Sequence, residues 1–244
     1  MERVFNNKVV LFETNFFKII MLFYLMAYVI SNWYDPRLIT LFGLISGGGI
    51  IIFPFTFLLT DLITEVYGYK NARFVIWSGF IFNLGFVLYG FLVSHIPAPQ
   101  GKLNILAFDH ITTLSSRIII ASGIGYLCSE PINSFLMAKL KIYMNGDYIG
   151  IRFIASTVIG SLIDTMLFCF LGFYGLINDD QMLGFIFSSW VIKAIVEIIG
   201  LPIFIRLAKK LKKIEQIDIY DRNTNFNLFK LDVGYAEQDN EYKG

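Results

Sequence analysis

The sequence is poor in charged residues. Only 16% of its 244 residues are Asp, Glu, Lys or Arg, against about 25% in a typical soluble domain. The formal net charge is +1, so the chain lacks the positive field of a nucleic-acid-binding protein, and no nucleic acid is expected as a partner. Because 56% of the residues are hydrophobic and the mean hydropathy is +0.62, the composition excludes a disordered chain and predicts a membrane protein.

Cysteine and histidine are also scarce. Cys128 and Cys169 lie in apolar stretches, where we expect small buried hydrophobic residues rather than a disulfide or a metal site. Both histidines, His95 and His110, fall in one polar connection. The sequence also contains no Gly-x-Ser-x-Gly or His-Glu-x-x-His motif. We therefore expect no enzyme, no metal ion and no cofactor.

The sequence does contain long apolar stretches. A helix needs about 20 mostly apolar residues to cross the hydrocarbon core of a bilayer. Six stretches predict an all-α bundle of six transmembrane helices: residues 19–34, 38–60, 74–94, 116–140, 151–176 and 182–205. They form a predicted transmembrane domain of residues 1–213, and the polar residues 214–244 form a predicted cytoplasmic tail with little fixed structure.

The distribution of basic residues predicts the orientation in the membrane. If the N-terminus is cytoplasmic, the inner connections hold 13 Lys and Arg residues and the outer connections hold 3. This asymmetry favours six helices with both termini in the cytoplasm of a bacterial cell, as a multi-pass protein of the inner membrane. The lipid bilayer is then an obligatory partner, and the sequence leaves open whether the chain forms a homo-oligomer.

Ionisable residues occur inside the predicted spans, where each costs about 2.5–3.5 kcal/mol on insertion scales. The deep set has four acids and two bases: Asp61, Glu130, Asp164, Glu197, Arg117 and Lys193. Because the acids outnumber the bases, at least two carboxyl groups lack a basic partner. The surplus favours a cationic ligand, a hydrogen-bond donor or protons, and so predicts a transport site for a small molecule.

Several of these positions admit a structural interpretation as well. Glu65 lies one helical turn after Asp61, and it either faces the same site or reaches water at the cytoplasmic end. Lys193 and Glu197 form either a structural ion pair or a switchable one. Asn83 fits helix packing as well as ligand contact. Glu130 equally fits a structural ion pair with one of the two deep bases.

Two of the predicted helices contain features that free backbone groups. Glycines 47–49 and Pro54 are expected to break the second helix, as in transporters whose broken helices line a cavity. In the fourth helix Tyr126, Glu130 and Asn133 share one face, and Pro131 leaves a carbonyl unpaired one turn earlier. Together they predict a hydrogen-bonding wall.

Residues 53–68, which read Phe-Pro-Phe-Thr-Phe-Leu-Leu-Thr-Asp-Leu-Ile-Thr-Glu-Val-Tyr-Gly, resemble the queuosine precursor transporter family, a group of vitamin-uptake-type membrane proteins. The later motifs of this resemblance are Arg117 with Ala121-Ser122 and Tyr126, residues 156–165, and Lys193 followed by Pro202. The resemblance covers roughly residues 15–215. The chain departs from it at residues 129–133, where Ser-Glu-Pro-Ile-Asn stands in place of Gly-Gln-x-x-Asp.

The resemblance implies an inner-membrane importer of 7-deazaguanines, such as 7-cyano-7-deazaguanine, its aminomethyl relative or queuine, for queuosine salvage into tRNA. A carboxylate accepts the adjacent N–H donors of a guanine-like edge, and aromatic rings stack on its faces. The full candidate set for substrate binding is Phe53, Asp61, Glu65, Asn83, Arg117, Tyr126, Glu130, Asn133, Asp164, Trp190, Lys193 and Glu197.

Alternative functions remain open from the sequence. The chain has no nucleotide-binding loop of the Gly-x-x-x-x-Gly-Lys-Ser/Thr kind, so it is either an independent importer or the substrate-binding subunit of an energy-coupled vitamin uptake system. The cargo is either a deazaguanine or another small nucleobase-like or vitamin molecule. A structural membrane scaffold would not need deep unpaired acids.

Overall fold

A computed structural model of the chain describes residues 8–9, 15–96 and 105–242. The described part contains six helices: α1 (Asn15–Tyr34), α2 (Pro54–Tyr67), α3 (Tyr69–Ser94), α4 (Ile105–Tyr143), α5 (Ile149–Phe173) and α6 (Asp179–Glu215). Short strands pair antiparallel: β1 (Lys8–Val9) with β4 (Tyr235–Ala236), and β2 (Leu38–Leu41) with β3 (Leu44–Gly47). The architecture is therefore mostly helical, as predicted.

Four helices of the described chain are long and apolar enough to cross a membrane: Phe16–Tyr34, Tyr69–Ser94, Ala107–Tyr143 and Ile149–Phe173, in α1, α3, α4 and α5. The 14-residue α2 is only about 21 Å long, shorter than a hydrocarbon core of about 30 Å. The 37-residue α6 contains Lys193, Glu197 and Pro202 within its length. The structure thus has four candidate spans where the sequence predicts six.

The second predicted helix, residues 38–60, is the main error of the sequence prediction. Its first half is a β-hairpin of β2 and β3, joined by a two-residue turn in which Phe42 and Gly43 have φ angles of 51° and 83°. A 3₁₀ helix, Gly48–Ile51, follows the hairpin. Pro54 then begins α2 instead of breaking it, because proline at the first helical turn has no N–H to leave unpaired.

Glycines 47–49 allow the hairpin to pack against the end of α1. A Cβ atom on Gly48 would lie 2.7 Å from the carbonyl oxygen of Tyr34. A Cβ atom on Gly49 would collide with the carbonyl oxygen of Ser31 and would lie 2.6 Å from the Asp35 carboxylate. The glycines therefore serve close backbone approach rather than helix breaking.

Helix α2 lies at the centre of the bundle. Twelve of its 14 residues are buried, and it contacts α1, α3, α4, α5 and α6. A helix that is buried all round tolerates few solvent-facing positions, which explains why residues 53–68 form the longest recognisable motif. Gly68, with a φ angle of 82°, then turns the chain directly into α3.

The segment after α6 is docked onto the bundle, so the prediction of a tail with little fixed structure is wrong for the described residues. The buried Arg73 donates to the carbonyl oxygens of Asn225 at 3.1 Å and Asn227 at 2.5 Å, and pairs with Asp232 at 2.8 Å. A buried guanidinium requires such acceptors. The tail supplies them, which a count of its polar residues could not reveal.

The tail is also fixed at the α2–α3 turn. The carboxylate of Asp221 accepts hydrogen bonds from the backbone N–H of Tyr69 at 2.9 Å and from the hydroxyl of Tyr235 at 2.6 Å. Burial raises the pKa of Asp221 above its ordinary value. Because β1 pairs with β4, the first and last described strands lie at this same end of the bundle.

Candidate functional site

A small cavity lies between the hairpin, the start of α2 and helices α4, α5 and α6. Six polar or ionisable side chains and two aromatic rings surround it. Its lining residues are Asp35, Ser46, Ile50, Phe53, Ser122, Asp164, Phe168, Ser189 and Lys193.

An ion pair between α5 and α6 forms one wall of the cavity. The ammonium of Lys193 lies 2.6 Å from Oδ2 of Asp164, and both side chains are nearly fully buried. The same ammonium lies 4.4 Å from the centre of the Phe53 ring, in a cation–π contact. Lys193 therefore pairs with the acid of the neighbouring helix and not with Glu197, four residues further along α6.

The opposite wall contains Asp35, a carboxylate that the sequence patterns did not single out. Its Oδ1 accepts the N–H of Gly49 at 3.0 Å, and the side chain is buried. Burial raises the pKa of Asp35 to about 7, although Lys193 and the Gly49 N–H lower it in part. The feature of the sequence that could have located Asp35 is the glycine run at 47–49, because it allows close approach of the backbone to this side chain.

A hydroxyl pair joins the hairpin to α6 at the cavity. The Oγ atoms of Ser46 on β3 and Ser189 on α6 lie 2.8 Å apart. Both side chains are buried. The hairpin is therefore part of the site, since it supplies Ser46 and fixes the position of Asp35.

A second polar cluster joins α2, α4 and α5 beside the cavity. Asn133 donates to Oδ1 of Asp61 at 2.7 Å, and Thr157 donates to Oδ2 at 3.2 Å. Thr60 donates to Oε2 of Glu130 at 2.8 Å. No ion pair of the described residues involves Asp61 or Glu130, so both carboxyl groups are solvated by neutral donors alone.

Glu197 faces a different groove, which lies between α2, α5 and α6. Apolar side chains such as Leu58 and Phe153 line this groove, with Thr157 as a polar neighbour. Glu197 is 4% exposed, and neither of its carboxylate oxygens has a hydrogen-bond partner among the described residues.

Glu65 lies outside the cavity, at the end of the bundle where the tail docks. Arg152 binds it with two hydrogen bonds of 2.6 and 3.0 Å, and the ammonium of Lys212 lies 2.5 Å from Oε1. Lys141 donates to the carbonyl oxygen of Glu65 at 2.6 Å and pairs with Asp218 of the tail at 2.6 Å. Glu65 is thus buried and fully paired, rather than reaching water.

Two further candidates take part in helix packing. Asn83 on α3 accepts a hydrogen bond of 3.1 Å from Asn32 on α1. The ring of Tyr126 on α4 stacks on Tyr28 at a centroid distance of 4.3 Å, and its hydroxyl donates to the carbonyl oxygen of Ile76 at 2.8 Å. Their polar and aromatic groups therefore have partners away from the cavity.

Arg117 and Trp190 also lie outside the cavity lining. Arg117 is exposed on α4 and donates to the carbonyl oxygen of Tyr174 at 2.5 Å, near the end of α5. Trp190 is half-buried on α6 next to Phe187. Of the predicted binding residues, the structure brings Phe53, Asp164 and Lys193 together at the cavity.

The chain matches a protein-family model described as "Putative vitamin uptake transporter" over residues 47–207, about two thirds of its length. The chain belongs to this family. The matched segment contains the hairpin end, α2, α3, α4, α5 and most of α6, and therefore most of the residues that line the cavity.

Three curated relatives are similar to this chain along much of its length. It is 28% identical to the "Probable queuosine precursor transporter" of Bacillus subtilis (strain 168), with 85% of this chain and 96% of that protein covered. It is 26% identical to the "Queuosine precursor transporter" of Escherichia coli (strain K12), with 63% and 66% covered. The "Probable queuosine precursor transporter" of Haemophilus influenzae is 25% identical, with 54% of each chain covered.

These relatives confirm the family resemblance seen in residues 53–68. Together with the four apolar helices, the family confirms a multi-pass inner-membrane transporter rather than an enzyme. No solved structure matches the chain.

Proposed function

We propose that this transporter imports queuosine precursors of the 7-deazaguanine class through the cavity between the hairpin, α4, α5 and α6. The observation that carries the proposal is the combination of two buried carboxylates, Asp35 and Asp164, with the rings of Phe53 and Phe168 in one small cavity. The names of the three relatives support the same substrate class.

The chemistry of the cavity suits a flat heterocycle with adjacent donors. A guanine-like edge offers neighbouring N–H groups that one carboxylate accepts in a bidentate manner. Phenyl faces stack on the ring. Lys193 already holds Asp164 at 2.6 Å, so a substrate with its own donors competes with this lysine for the carboxylate.

We place Phe53, Asp164 and Lys193 in direct contact with the substrate. We add Asp35, which lines the same cavity but was not singled out by the sequence patterns. Asp61, Glu130 and Asn133 form a hydrogen-bonded layer next to the cavity, through which the substrate leaves towards the tail end. Five of the other predicted binding residues support the helices that carry these groups: Glu65, Asn83, Arg117, Tyr126 and Trp190. Glu197 lines the separate groove between α2, α5 and α6.

The proposed topology has six helices in the membrane and both termini in the cytoplasm. The buried α2 lies in the bundle without having to cross the bilayer alone, and α6 buries its two mid-helix ionisable groups, Lys193 and Glu197, against its neighbours. The pairing of β1 with β4 at one end supports an even number of crossings. Residues 1–213 then form the membrane domain, and residues 214–244 form a docked cytoplasmic tail.

Complementation tests this function directly. Cells that neither make nor import 7-deazaguanines receive this gene, and queuosine in their tRNA is measured after one external precursor is supplied at a time. We expect queuosine to return with 7-cyano-7-deazaguanine, its aminomethyl relative or queuine. If the protein is present in the membrane and tRNA stays unmodified with every precursor, the proposal is wrong.

Uptake by the purified chain in lipid vesicles separates an independent importer from a subunit. If the chain alone takes up the precursor that restores queuosine in cells, it works without an energising complex. If cells regain queuosine but vesicles take up nothing, the chain acts as the substrate-binding subunit of a larger uptake system. Asp147→Asn, at an exposed position, serves as a control for protein handling.

A further inference from the structure

Glu197 is a buried acid that neither the cavity nor the ion pairs of the bundle use. It is 4% exposed, and both of its oxygens lack hydrogen-bond partners in the described chain. An ionised carboxylate in such a place loses its hydration without replacement, which is costly in protein and more so in a bilayer. A neutral carboxylic acid avoids most of this cost.

The charged groups near Glu197 do not offer it a counter-ion. Those that act on it electrostatically are Asp61 on α2, Glu130 on α4, Asp164 on α5 and Lys193 on its own helix. Three of the four are acids. The fourth, Lys193, has its ammonium 2.6 Å from Asp164 and over the Phe53 ring.

We propose that Glu197 is a proton-binding site and that its proton enters the cell together with the substrate. The proposal rests on the transport function proposed above and names its driving ion. A proton from the outer water binds a carboxylate oxygen of Glu197, which forms the neutral acid, and the same O–H bond breaks when cytoplasmic water reaches the groove. No other reactant is needed.

The spacing on α6 shows how the proton acts on the substrate cavity. Lys193 and Glu197 are four residues apart, so their side chains lie on the same face of the helix. When Glu197 is neutral, Lys193 stays on Asp164 and the cavity wall is intact, as observed. When Glu197 loses its proton, Lys193 gains a second acid one turn away and leaves Asp164. The wall then separates and releases the substrate.

Thr157 connects the groove of Glu197 to the rest of the polar interior. It lines the groove and donates to Asp61 at 3.2 Å. Asp61 precedes Glu65 by one turn of α2, and Glu65 belongs to the ion pairs at the tail end. A chain of polar groups therefore extends from Glu197 towards the proposed cytoplasmic side.

Transport by the full chain in lipid vesicles tests the proposal, with radiolabelled 7-cyano-7-deazaguanine as an uncharged probe. Wild type is expected to accumulate the probe several-fold more when the outside is acidic, and a pH-sensitive dye inside the vesicles should report proton entry with it. Glu197→Gln, which mimics the protonated acid, is expected to keep binding of the probe in detergent, because Lys193 stays on Asp164 and the cavity wall remains intact. It should lose both the accumulation and the proton entry.

The matched control is Glu237→Gln, an exposed glutamate of the tail, which should behave as wild type. If Glu197→Gln does not fold, a second readout is proton uptake from weakly buffered solution when probe is added to wild type in detergent. It is measured over a pH series that extends to alkaline pH, where free Glu197 is ionised, since coupled binding then takes up protons. Absence of this proton uptake overturns the proposal, and so does pH-driven accumulation of the probe by Glu197→Gln. Uptake of the probe by wild type that ignores the pH gradient also overturns it but leaves the transport function intact. No uptake by wild type in vesicles, together with no queuosine restored in cells, contradicts the transport function.

Discussion

Two clusters of buried charge in this bundle, the paired end where the tail docks and the interior, have an excess of opposite sign. Where the tail docks, bases outnumber acids: Lys141, Arg152 and Lys212 bind Glu65 and Asp218. In the described interior, acids outnumber bases: Asp61, Glu130, Asp164 and Glu197 are accompanied by Lys193. The two regions lie on the same helices, since α2 carries Asp61 and Glu65 one turn apart.

The difference separates a cluster with a structural role from one to which we assign the proposed transport function. A buried acid with several bound cations is costly to disturb, because removing one partner leaves charge without compensation. An acid with no cation is costly to keep, because a smaller apolar residue would be more stable in its place. The paired end therefore holds the helices and the tail in one arrangement. We propose that the acid-rich interior retains its acids because transport uses them.

Removing Arg152 is expected to have the largest effect on the paired end. Arg152→Ala leaves Glu65 buried with Lys212 as its remaining side-chain partner, a loss of about 3–5 kcal/mol for a broken buried pair. The Tm of the detergent-solubilised protein should fall by roughly 10 °C. Arg206→Ala, an exposed arginine of α6, is the matched control. A wild-type Tm for Arg152→Ala would show that the cluster does not hold the bundle.

Asp164→Asn is expected to have the largest effect on transport. The substitution keeps the side-chain size but removes the charge that binds Lys193 at 2.6 Å, and it weakens the acceptor offered to the substrate. Uptake should fall by at least about tenfold, which corresponds to roughly 1.4 kcal/mol. Uptake assays normalised to folded protein measure this.

The exposed Asp147→Asn is again the control for Asp164→Asn, and it should transport at the wild-type rate. Normal uptake by Asp164→Asn would remove this acid from the proposed site. It would also break the comparison, because an interior acid would then have the structural role assigned to the paired end.

The titration of Asp35 sharpens the comparison. This acid accepts one hydrogen bond from a backbone N–H, and the nearby Lys193 is already paired with Asp164. Its pKa is about 7 in the folded chain, above the ordinary value, so the folded chain binds the proton more tightly than the unfolded chain. The stability contributed by Asp35 is therefore present at low pH and is lost as pH rises through 7. Tm measured from pH 5 to pH 8 should fall.

Asp35→Asn is expected to flatten this pH dependence, since the amide does not titrate. Asp147→Asn should keep the wild-type slope. An unchanged slope in Asp35→Asn would assign the titration to another group and would weaken the inclusion of Asp35 in the site.

Sequence patterns could predict the helices but not the elements that close the cavity. Apolar stretches located α1, α3, α4, α5 and α6 to within several residues at most ends, because hydrophobicity is a local property. The stretch at 38–60 was equally apolar, yet a two-residue turn at Phe42 and Gly43 folds its first half into a hairpin. The hairpin is stabilised by contacts with α1 and α6, which are distant in sequence.

The same limit applies to the candidate site. The surplus of deep acids was visible in the composition of the helices, and it led to Asp164 and Lys193. Their partners were not visible: spacing suggested that Lys193 pairs with Glu197, whereas the structure pairs it with Asp164 across two helices. Asp35 and the docking of the tail depend on tertiary contacts in the same way, so only the structure locates them.

The smallest expected effect concerns the hydrogen bonds that hold the tail against the α2–α3 turn. Tyr235→Phe removes the hydroxyl that donates to Asp221 at 2.6 Å and accepts the N–H of Lys70 at 2.8 Å. The loss of about 1 kcal/mol should raise the open fraction of the tail roughly fivefold, and cleavage of residues 222–234 by a protease should accelerate in proportion. Tyr143→Phe, at an exposed position of α4, should be cleaved as slowly as wild type. If Tyr235→Phe is also cleaved at the wild-type rate, the contacts of Arg73 and Lys141 are sufficient to hold the tail without this hydroxyl.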